Sequence, residues 1–448
     1  MRFLNSYNFG GCLADDMGLG KTVQTLTLLQ SEKERGADNA SLLVMPTSLV
    51  YNWEHEAKKF VPDLKILIYT GTYRDKDIAK FANYDIIITS YGITRIDVNL
   101  LKEYYFNYII LDESQAIKNP NSNISNAVKE LKSKSRLILT GTPIENSTLD
   151  LWSQMSFINP GLLGGQTFFK NTFLNAIEKK HDEVKTKKLY SIIKPFILRR
   201  KKDQVLTELP PKIEQVLYCE MTSEQEKKYE EVKSFYRNKI LEEIDLNGIG
   251  KSQFTLLQGL TKLRQIANHP YMTDTDYEHG SGKMKEVVHT LESALAGHHK
   301  VLIFSQFVKH LSLFRTELEK KDIPYTYLDG GTKKRQDVVD KFQNDDEIRV
   351  FLISLKAGGL GLNLTKADYV FILDPWWNPA IEAQAVDRAH RMGQKNVVHN
   401  YKFITKNSVE EKILKLQASK KKLADDLITT EDSFVKNLSK EDISELLN

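Results

Sequence analysis

Cysteine is almost absent: 448 residues hold two thiols, Cys12 and Cys219, far apart and without metal-ligand spacing. Such scarcity excludes a disulfide framework and a structural zinc site and points to a reducing compartment. Long apolar runs are missing as well. No stretch approaches the ~18 consecutive apolar residues of a membrane helix, and Met1 to Tyr7 carries one basic residue and no apolar block. Neither a membrane span nor a signal peptide is therefore expected. Excess charge of one sign is small, since 63 Lys and Arg against 59 Asp and Glu leave +4. That balance permits a nucleic-acid partner without demanding one, so local clusters matter more than the total. There is no repeat of solenoid period and no low-complexity tract. What remains is a composition of 41% apolar and 27% charged residues, on a chain long enough for two or three domains with their own cores.

Short apolar β-rich runs alternate with helix-period segments through the first 145 residues: "SLLVMPTS" (41–48), "LKILIYTG" (64–71), "DIIITSY" (85–91), "YIILDES" (108–114) and "RLILTGTP" (136–143). A second series comprises "KVLIFSQF" (300–307), "IPYTYLDG" (323–330), "RVFLISLKAGG" (349–359), "DYVFILDP" (368–375) and "VVHNYKFI" (397–404). Runs of this kind fit buried parallel strands joined by helices, which predicts an α/β class with two lobes. Between them, residues 150–295 read as helix-rich. Within that region five of the nine residues from Lys194 to Lys202 are basic, and Pro210-Pro211 marks a break. A solvated interdomain linker and a nucleic-acid or interlobe role both remain open for this stretch. The charged tail from Glu410 onward reads as a solvated helical face.

The stretch "DDMGLGKT" (15–22) carries the first chemistry. Gly18 and Gly20 would let the backbone turn tightly so that N–H groups, including those around Asp16 and Leu19, face phosphate oxygens. Lys21 would add positive charge and Thr22 a hydroxyl for Mg²⁺. The usual pattern has glycine where this chain has Asp15, so on its own the stretch fits either a phosphate loop or a plain helix-start turn. An acidic residue at the end of another strand should answer the lysine. "YIILDESQ" supplies Asp112, which would hold Mg²⁺ and its waters, and Glu113, which would orient and deprotonate the attacking water. An Asp-Glu pair is also a common polar strand end, but paired with the loop in an alternating α/β frame it points to a nucleoside triphosphatase. Arg388 and Arg391 in "QAVDRAHRMGQ" (384–394) lie three apart, on one face if the segment is helical. Such arginines could neutralise transition-state charge from another lobe, whereas the segment alone reads as an exposed charged helix.

Taken together, the chain resembles the superfamily-two helicase-like ATPases and, within them, the SWI/SNF family of double-stranded DNA translocases. The resemblance is carried in order by "LADDMGLGKT", "PTSLVYNW" (46–53), "TSYG" (89–92), "LDESQAIKNP" (111–120), "LTGTPIEN" (139–146), "FILRRKKDQVLTELPPK" (196–212), "LRQIANHPYM" (263–272), "VLIFSQF" (301–307), "LISLKAGGLGLNLTKAD" (352–368) and "DPWWNPAIEAQAVDRAHRMGQ" (374–394). Asp15 is itself the family's habit.

The resemblance implies two RecA-like lobes with helical protrusions, ATP and Mg²⁺ as cofactors, and duplex DNA and DNA-bound proteins as partners of a monomeric motor. Its divisions are an ATP-binding lobe over 1–198 with a protrusion from about 150, a basic linker over 199–213, a protrusion over 214–282, a C-terminal lobe over 283–425 and a helical tail over 426–448. Carried over by position, Lys21, Thr22, Asp112 and Glu113 keep the roles above, Gln384 and Gly361 face the nucleotide, and Arg388 and Arg391 are fingers. Contacts to one DNA strand are implied for Thr47, Ser48, Ser90, Ser305, Gln306, Lys356, Ala357, Gly358 and Gly359. Trp377 matches a DNA-adjacent tryptophan, with a core aromatic as the other reading. Gln115, Thr140 and Thr142 match coupling positions.

Two departures stand out. "DESQ" replaces the commoner DEAH or DEGH, and Gln115 cannot titrate near neutrality as His does. Prokaryotic members share this variant, which implies a bacterial protein. The family also places an adenine-recognising segment well upstream of the loop, whereas only fourteen residues precede Asp15. The expectation is therefore that Met1 is internal to a longer parent chain. Strand-separating helicase and hydrolysis-defective DNA-binding fragment stay open as alternatives to a duplex translocase.

Overall fold

The computed structural model describes residues 1–141, 148–179, 182–205, 208–247, 249–358, 362–377 and 379–419, with 443 and 446. The chain divides into two compact units, Met1–Thr207 and Glu208–Asn448. Their boundary falls inside the basic stretch predicted as a linker.

The first unit is built on seven strands: β1 (Gly11–Leu13), β2 (Ser41–Met45), β3 (Ile66–Tyr69), β4 (Ile86–Ser90), β5 (Tyr105–Leu111), β6 (Lys132–Leu139) and β7 (Ile197–Leu198). They are all parallel, in the order β3-β4-β2-β5-β6-β1-β7. Parallel strands need covered faces, and β2 and β4 are buried at every position. This is why each shows in the sequence as an unbroken apolar run. Helix α1 (Lys21–Glu34) follows β1 through the glycine loop. Leu13 of β1 pairs with Leu139 of β6, and Leu111 of β5 pairs with Ile138. The loop at 14–20, Thr140 and the Asp112-Glu113 pair therefore leave neighbouring strands at one edge of the sheet. Ligands of open α/β sheets bind at the carboxyl ends of strands.

The second unit carries β8 (Lys212–Cys219), β9 (Val301–Ser305), β10 (Tyr325–Leu328), β11 (Val350–Ser354), β12 (Tyr369–Ile372) and β13 (Val398–Thr405). These are again all parallel, in the order β10-β11-β9-β12-β13-β8. Between β8 and β9 run α2 (Ser223–Asn247), α3 (Ile249–Asn268) and α4 (Gly282–Ala296). Tyr229, Tyr236 and Ile240 of α2 share one apolar cluster with Leu256, Leu260 and Leu263 of α3. Gly282 opens α4 because a Cβ there would lie 1.7 Å from the Glu220 carbonyl oxygen. Later come α5 (Pro379–Val386) and α6 (Val409–Ser419).

Three strands escape the sequence patterns. β1 and β7 span three and two residues, too short for a period. β8 lies inside the stretch predicted as linker and helical protrusion, yet it pairs with β13 over eight residues at the sheet edge. Its exposed, charged face hides it. The predicted tail over 426–448 lies outside the described residues except for Ile443 and Leu446, both buried in the α2/α3 cluster. Among the described residues no helix is long and apolar enough to cross a membrane, and no group of His, Cys, Asp and Glu could hold a metal by itself. Both thiols are buried, and burial pushes each up to about 12. They are inert at neutral pH.

Candidate active site

The loop after β1 turns on two left-handed glycines, Gly18 at φ 90° and Gly20 at φ 75°. At Gly20 no atom would meet an added Cβ within 4 Å, so backbone conformation rather than space demands glycine. Leu19 between them is buried. Lys21 and Thr22 then begin α1, both half-buried. The Lys21 ammonium donates to the Asp15 carbonyl at 2.6 Å and to the Asp16 carbonyl at 3.4 Å. Burial lowers its proton affinity, opposed by the charges of Glu113, Asp112, Asp15 and Asp16. The lysine and the carboxylate pair predicted 90 residues away thus act on one another within one unit.

Asp112 is held by an unpredicted partner: the buried Trp53 indole N–H donates to Oδ2 at 2.8 Å. The Glu113 N–H donates to Oδ1 at 2.9 Å, and the Tyr91 hydroxyl donates to the Asp112 carbonyl at 2.8 Å. Burial first, and the Glu113 charge second, push the Asp112 carboxyl up to about 6, against the pull of Trp53, the Glu113 N–H and Lys21. Two adjacent, half-buried carboxylates disfavour each other's charge, and a cation relieves that. Each Asp112 oxygen keeps a further lone pair. With the Thr22 hydroxyl next in sequence to Lys21, this hard-oxygen set fits Mg²⁺, which takes one or two carboxylates and completes its shell with water and phosphate.

Glu113 sits at φ 50°, ψ 57°, left-handed for a residue with a side chain. Such backbone costs on the order of 1 to 3 kcal/mol and gathers at functional sites. Its Oε2 accepts from Gln115 Nε2 at 2.7 Å, so Gln115 orients the carboxylate directly. Thr140 is buried, and its N–H continues the sheet by donating to the Leu13 carbonyl at 3.1 Å. Thr142 lies outside the described residues.

Asp15 and Asp16, at the start of the loop, both bond to the Arg200–Lys202 stretch. The Asp15 carboxylate is fully buried and takes Arg200, whose Nε lies 3.1 and 3.2 Å and Nη2 2.5 Å from its oxygens. Asp16 does not aim its polar groups at a ligand: its N–H donates to the Arg200 carbonyl at 3.0 Å, and its carboxylate accepts from the Lys202 N–H at 3.1 Å. The basic stretch read as linker or nucleic-acid patch is, at Arg200, part of this site. Nothing local announces a pairing across 185 residues.

Among the positions matched to DNA contact, Thr47 is exposed and Ser48 half-buried at the start of the 3-10 turn Thr47–Leu49. Ser90 is buried and caps the helix Tyr91–Ile96 by accepting from the Ile93 N–H at 3.3 Å. Its hydroxyl oxygen thus serves a helix of its own unit.

In the second unit, Ser305 is likewise buried and donates to Asp374 Oδ1 at 2.5 Å, while the half-buried Gln306 donates its N–H to Asp374 Oδ2 at 3.0 Å. Burial opposes the Asp374 charge, but His310, Arg264 and Ser305 outweigh it and hold the carboxyl below its ordinary value. Trp377, predicted against DNA, is 0% exposed and packs in the α2/α3 cluster under the Arg264 guanidinium, 4.7 Å from its ring. That placement is the one the core reading describes. Ala357 is buried in the turn Leu355–Gly358, which also contains Lys356 and Gly358. Gly359 and Gly361 lie outside the described residues.

The finger arginines do not share a helix face. α5 ends at Val386, with half-buried Gln384 in its last turn, and Arg388 and Arg391 follow in turns. The carbonyls a longer helix would use are taken: Leu364 N–H occupies that of Arg388 and the Gln394 amide that of Ala389. Gly393, at φ 98°, completes the turn. Arg388 is 2% exposed, and Arg391 is half-exposed.

Residues 1–272 match the family described as SNF2-related domain, and residues 282–393 the helicase conserved C-terminal domain. The chain is similar to an uncharacterized ATP-dependent helicase of Mycoplasma pneumoniae, 38% identical over 450 residues that cover all of this chain and 43% of that protein. It is also similar to the TATA-binding protein-associated factor MOT1 of Saccharomyces cerevisiae, at 34% identity over all of this chain and 28% of that protein. Among solved structures, the Sulfolobus solfataricus SWI2/SNF2 ATPase core in complex with dsDNA aligns over all of this chain and 94% of that one, with 41% identity and a TM-score of 0.48. The chain spans less than half the length of these curated relatives.

Proposed function

The chain belongs to the SNF2-related family of helicase-like ATPases, and on that premise we propose that it hydrolyses ATP to drive movement along duplex DNA. One observation carries this reading. Lys21, Asp112 and Glu113 stand in mutual electrostatic reach at the carboxyl edge of one parallel sheet, with Glu113 in a strained left-handed turn.

In this reading the N–H groups of the glycine loop and the Lys21 ammonium bind the phosphates. Mg²⁺, held through Asp112 and Thr22, supplies positive charge to the phosphate oxygens. Glu113, aimed by Gln115, accepts the proton of the attacking water. Gln384 faces the nucleotide, and of the two arginines Arg391 is the more accessible source of transition-state charge. Thr140 couples the strand between loop and carboxylates to both. On the DNA side, Thr47 and Ser48, at an exposed turn, suit backbone contacts that position without reading sequence. Gln306 and the turn holding Lys356 belong to the same proposed track. The yeast relative is named for association with TATA-binding protein; from it we carry over only a class, a DNA-bound protein as the object displaced.

ATP hydrolysis is measured without nucleic acid and with single-stranded DNA, RNA and duplex DNA. Strong stimulation by duplex, abolished by Glu113→Gln and by Arg391→Ala, is the expected result. Stimulation by single strands with strand separation would replace this reading by a helicase. DNA binding with no turnover, indifferent to Glu113→Gln, would leave a binding fragment.

A further inference from the structure

Asp15 receives two cations on two different groups. Its carbonyl oxygen takes the Lys21 ammonium at 2.6 Å, and its carboxylate takes the Arg200 guanidinium through Nε and Nη2. Arg200 does more than pair. Its own N–H donates to Asp15 Oδ1 at 3.0 Å, and its Nη2 donates to Gln24 Oε1 at 2.7 Å. Gln24 in turn donates to the Leu19 carbonyl at 3.0 Å and to Asp15 Oδ2 at 3.3 Å. The strand end, the loop and the first turns of α1 are thus fastened at one guanidinium. The main chain is fastened alongside: Ala14 N–H donates to the Leu198 carbonyl at 2.7 Å and Asp16 N–H to that of Arg200 at 3.0 Å.

A buried carboxylate one step from a phosphate-binding loop is a hazard to it. It repels phosphate, and it competes for the ammonium that should face phosphate, since Asp15 already lies within the field that Lys21 feels. The bidentate fork of arginine saturates both carboxylate oxygens at once, which a lysine could not do. Lys21 is left to the carbonyl, a weaker neutral acceptor that it can exchange for phosphate.

Resting on the ATPase reading above, we propose that Arg200 is a positioning residue for ATP binding: by occupying the Asp15 carboxylate it keeps Lys21 available to phosphate. The decisive prediction is a rescue. Arg200→Gln frees the carboxylate, which captures Lys21, so affinity for a fluorescent ATP analogue should fall about tenfold or more and KM rise with it, with a smaller effect on kcat. Adding Asp15→Asn removes the trap and should restore affinity to within about threefold of the parent chain, although both members of the ion pair are now gone. Asp15→Asn alone should bind nearly normally and melt lower, and Arg200→Lys should lie between.

A merely structural clamp gives the opposite pattern. Losses would then add in the double variant, and Asp15→Asn alone would already lose affinity; either result overturns the proposal, as does unchanged affinity in Arg200→Gln. If Arg200→Gln fails to fold, Asp15→Asn and Arg200→Lys still decide it by the same binding measurement. Glu113→Gln run in parallel separates the two ideas, because hydrolysis that survives it defeats the ATPase reading, whereas binding of the analogue tests Arg200 independently.

Discussion

The carboxyl edges of the two sheets make an instructive pair. Both belong to parallel sheets with helices on their faces, and both present polar residues immediately after apolar strands. In the first unit the edge is left in tension: left-handed glycines, a left-handed Glu113, and an Asp112 whose charge is resisted by burial and by its neighbour. In the second unit the corresponding edge holds its Asp374 carboxyl below the ordinary value. Asp374 is matched by Ser305 and the Gln306 N–H, and Arg264 donates to the Pro375 carbonyl at 2.5 Å. Lys283, fully buried, donates to Glu410 at 2.5 Å, to Asn268 at 2.8 Å and to the Leu373 carbonyl at 2.9 Å. One framework thus serves two ends: a carboxylate whose charge burial and a neighbouring carboxylate resist in the first unit, and one, Asp374, whose charge its partners hold in the second.

The sharpest way to break this contrast is to remove a group from each edge. Glu113→Gln should reduce hydrolysis by roughly 10² to 10⁴ while the melting temperature stays within a few degrees. Lys283→Met should show the reverse, costing about 3 to 5 kcal/mol because the Glu410 charge is left buried alone, as read from urea unfolding. Adding Glu410→Leu should recover part of that loss.

A third test uses pH. Asp112 has its folded value near 6, above the 3.8 of a free side chain. Its charge therefore costs nothing below the lower value, and the cost grows between the two and is complete above about 6. Hydrolysis should rise as pH passes through about 6, and the rise should move to lower pH as Mg²⁺ is increased. Asp112→Asn should be inactive yet melt higher than the parent at pH 8, and a lower melting temperature there would contradict the assignment. Smallest of all is Trp377→Phe, which should weaken the second unit modestly and leave DNA affinity, measured across a salt series, unchanged within about twofold.

Legibility from sequence followed the same divide. Buried strands such as β2, β4, β9 and β11 are readable because both faces are covered, so that the run is apolar throughout. The loop, Asp112 and Glu113 are readable because phosphate chemistry needs those residue types at strand ends. Positions that depend on tertiary closure were not. Arg200 meets Asp15 only because β7 is laid beside β1, and Trp53 meets Asp112 across 59 residues. The spacing of Arg388 and Arg391 suggested a helix face, but α5 ends at Val386 and both arginines fall in the turns that follow. The internal partners of Ser90 and Ser305 were not legible either: one hydroxyl caps a helix and the other bonds a buried carboxylate.

The Trp53 indole, bonded at 2.8 Å to the carboxylate that would meet the metal, has an optical consequence. Indole emission responds to a charge placed beside the ring, and Trp53 donates directly to this carboxylate. The chain therefore carries a native fluorophore bonded to the Asp112 carboxylate. Titrating the unlabelled protein with Mg²⁺ in a fluorimeter would report the occupancy of Asp112 directly.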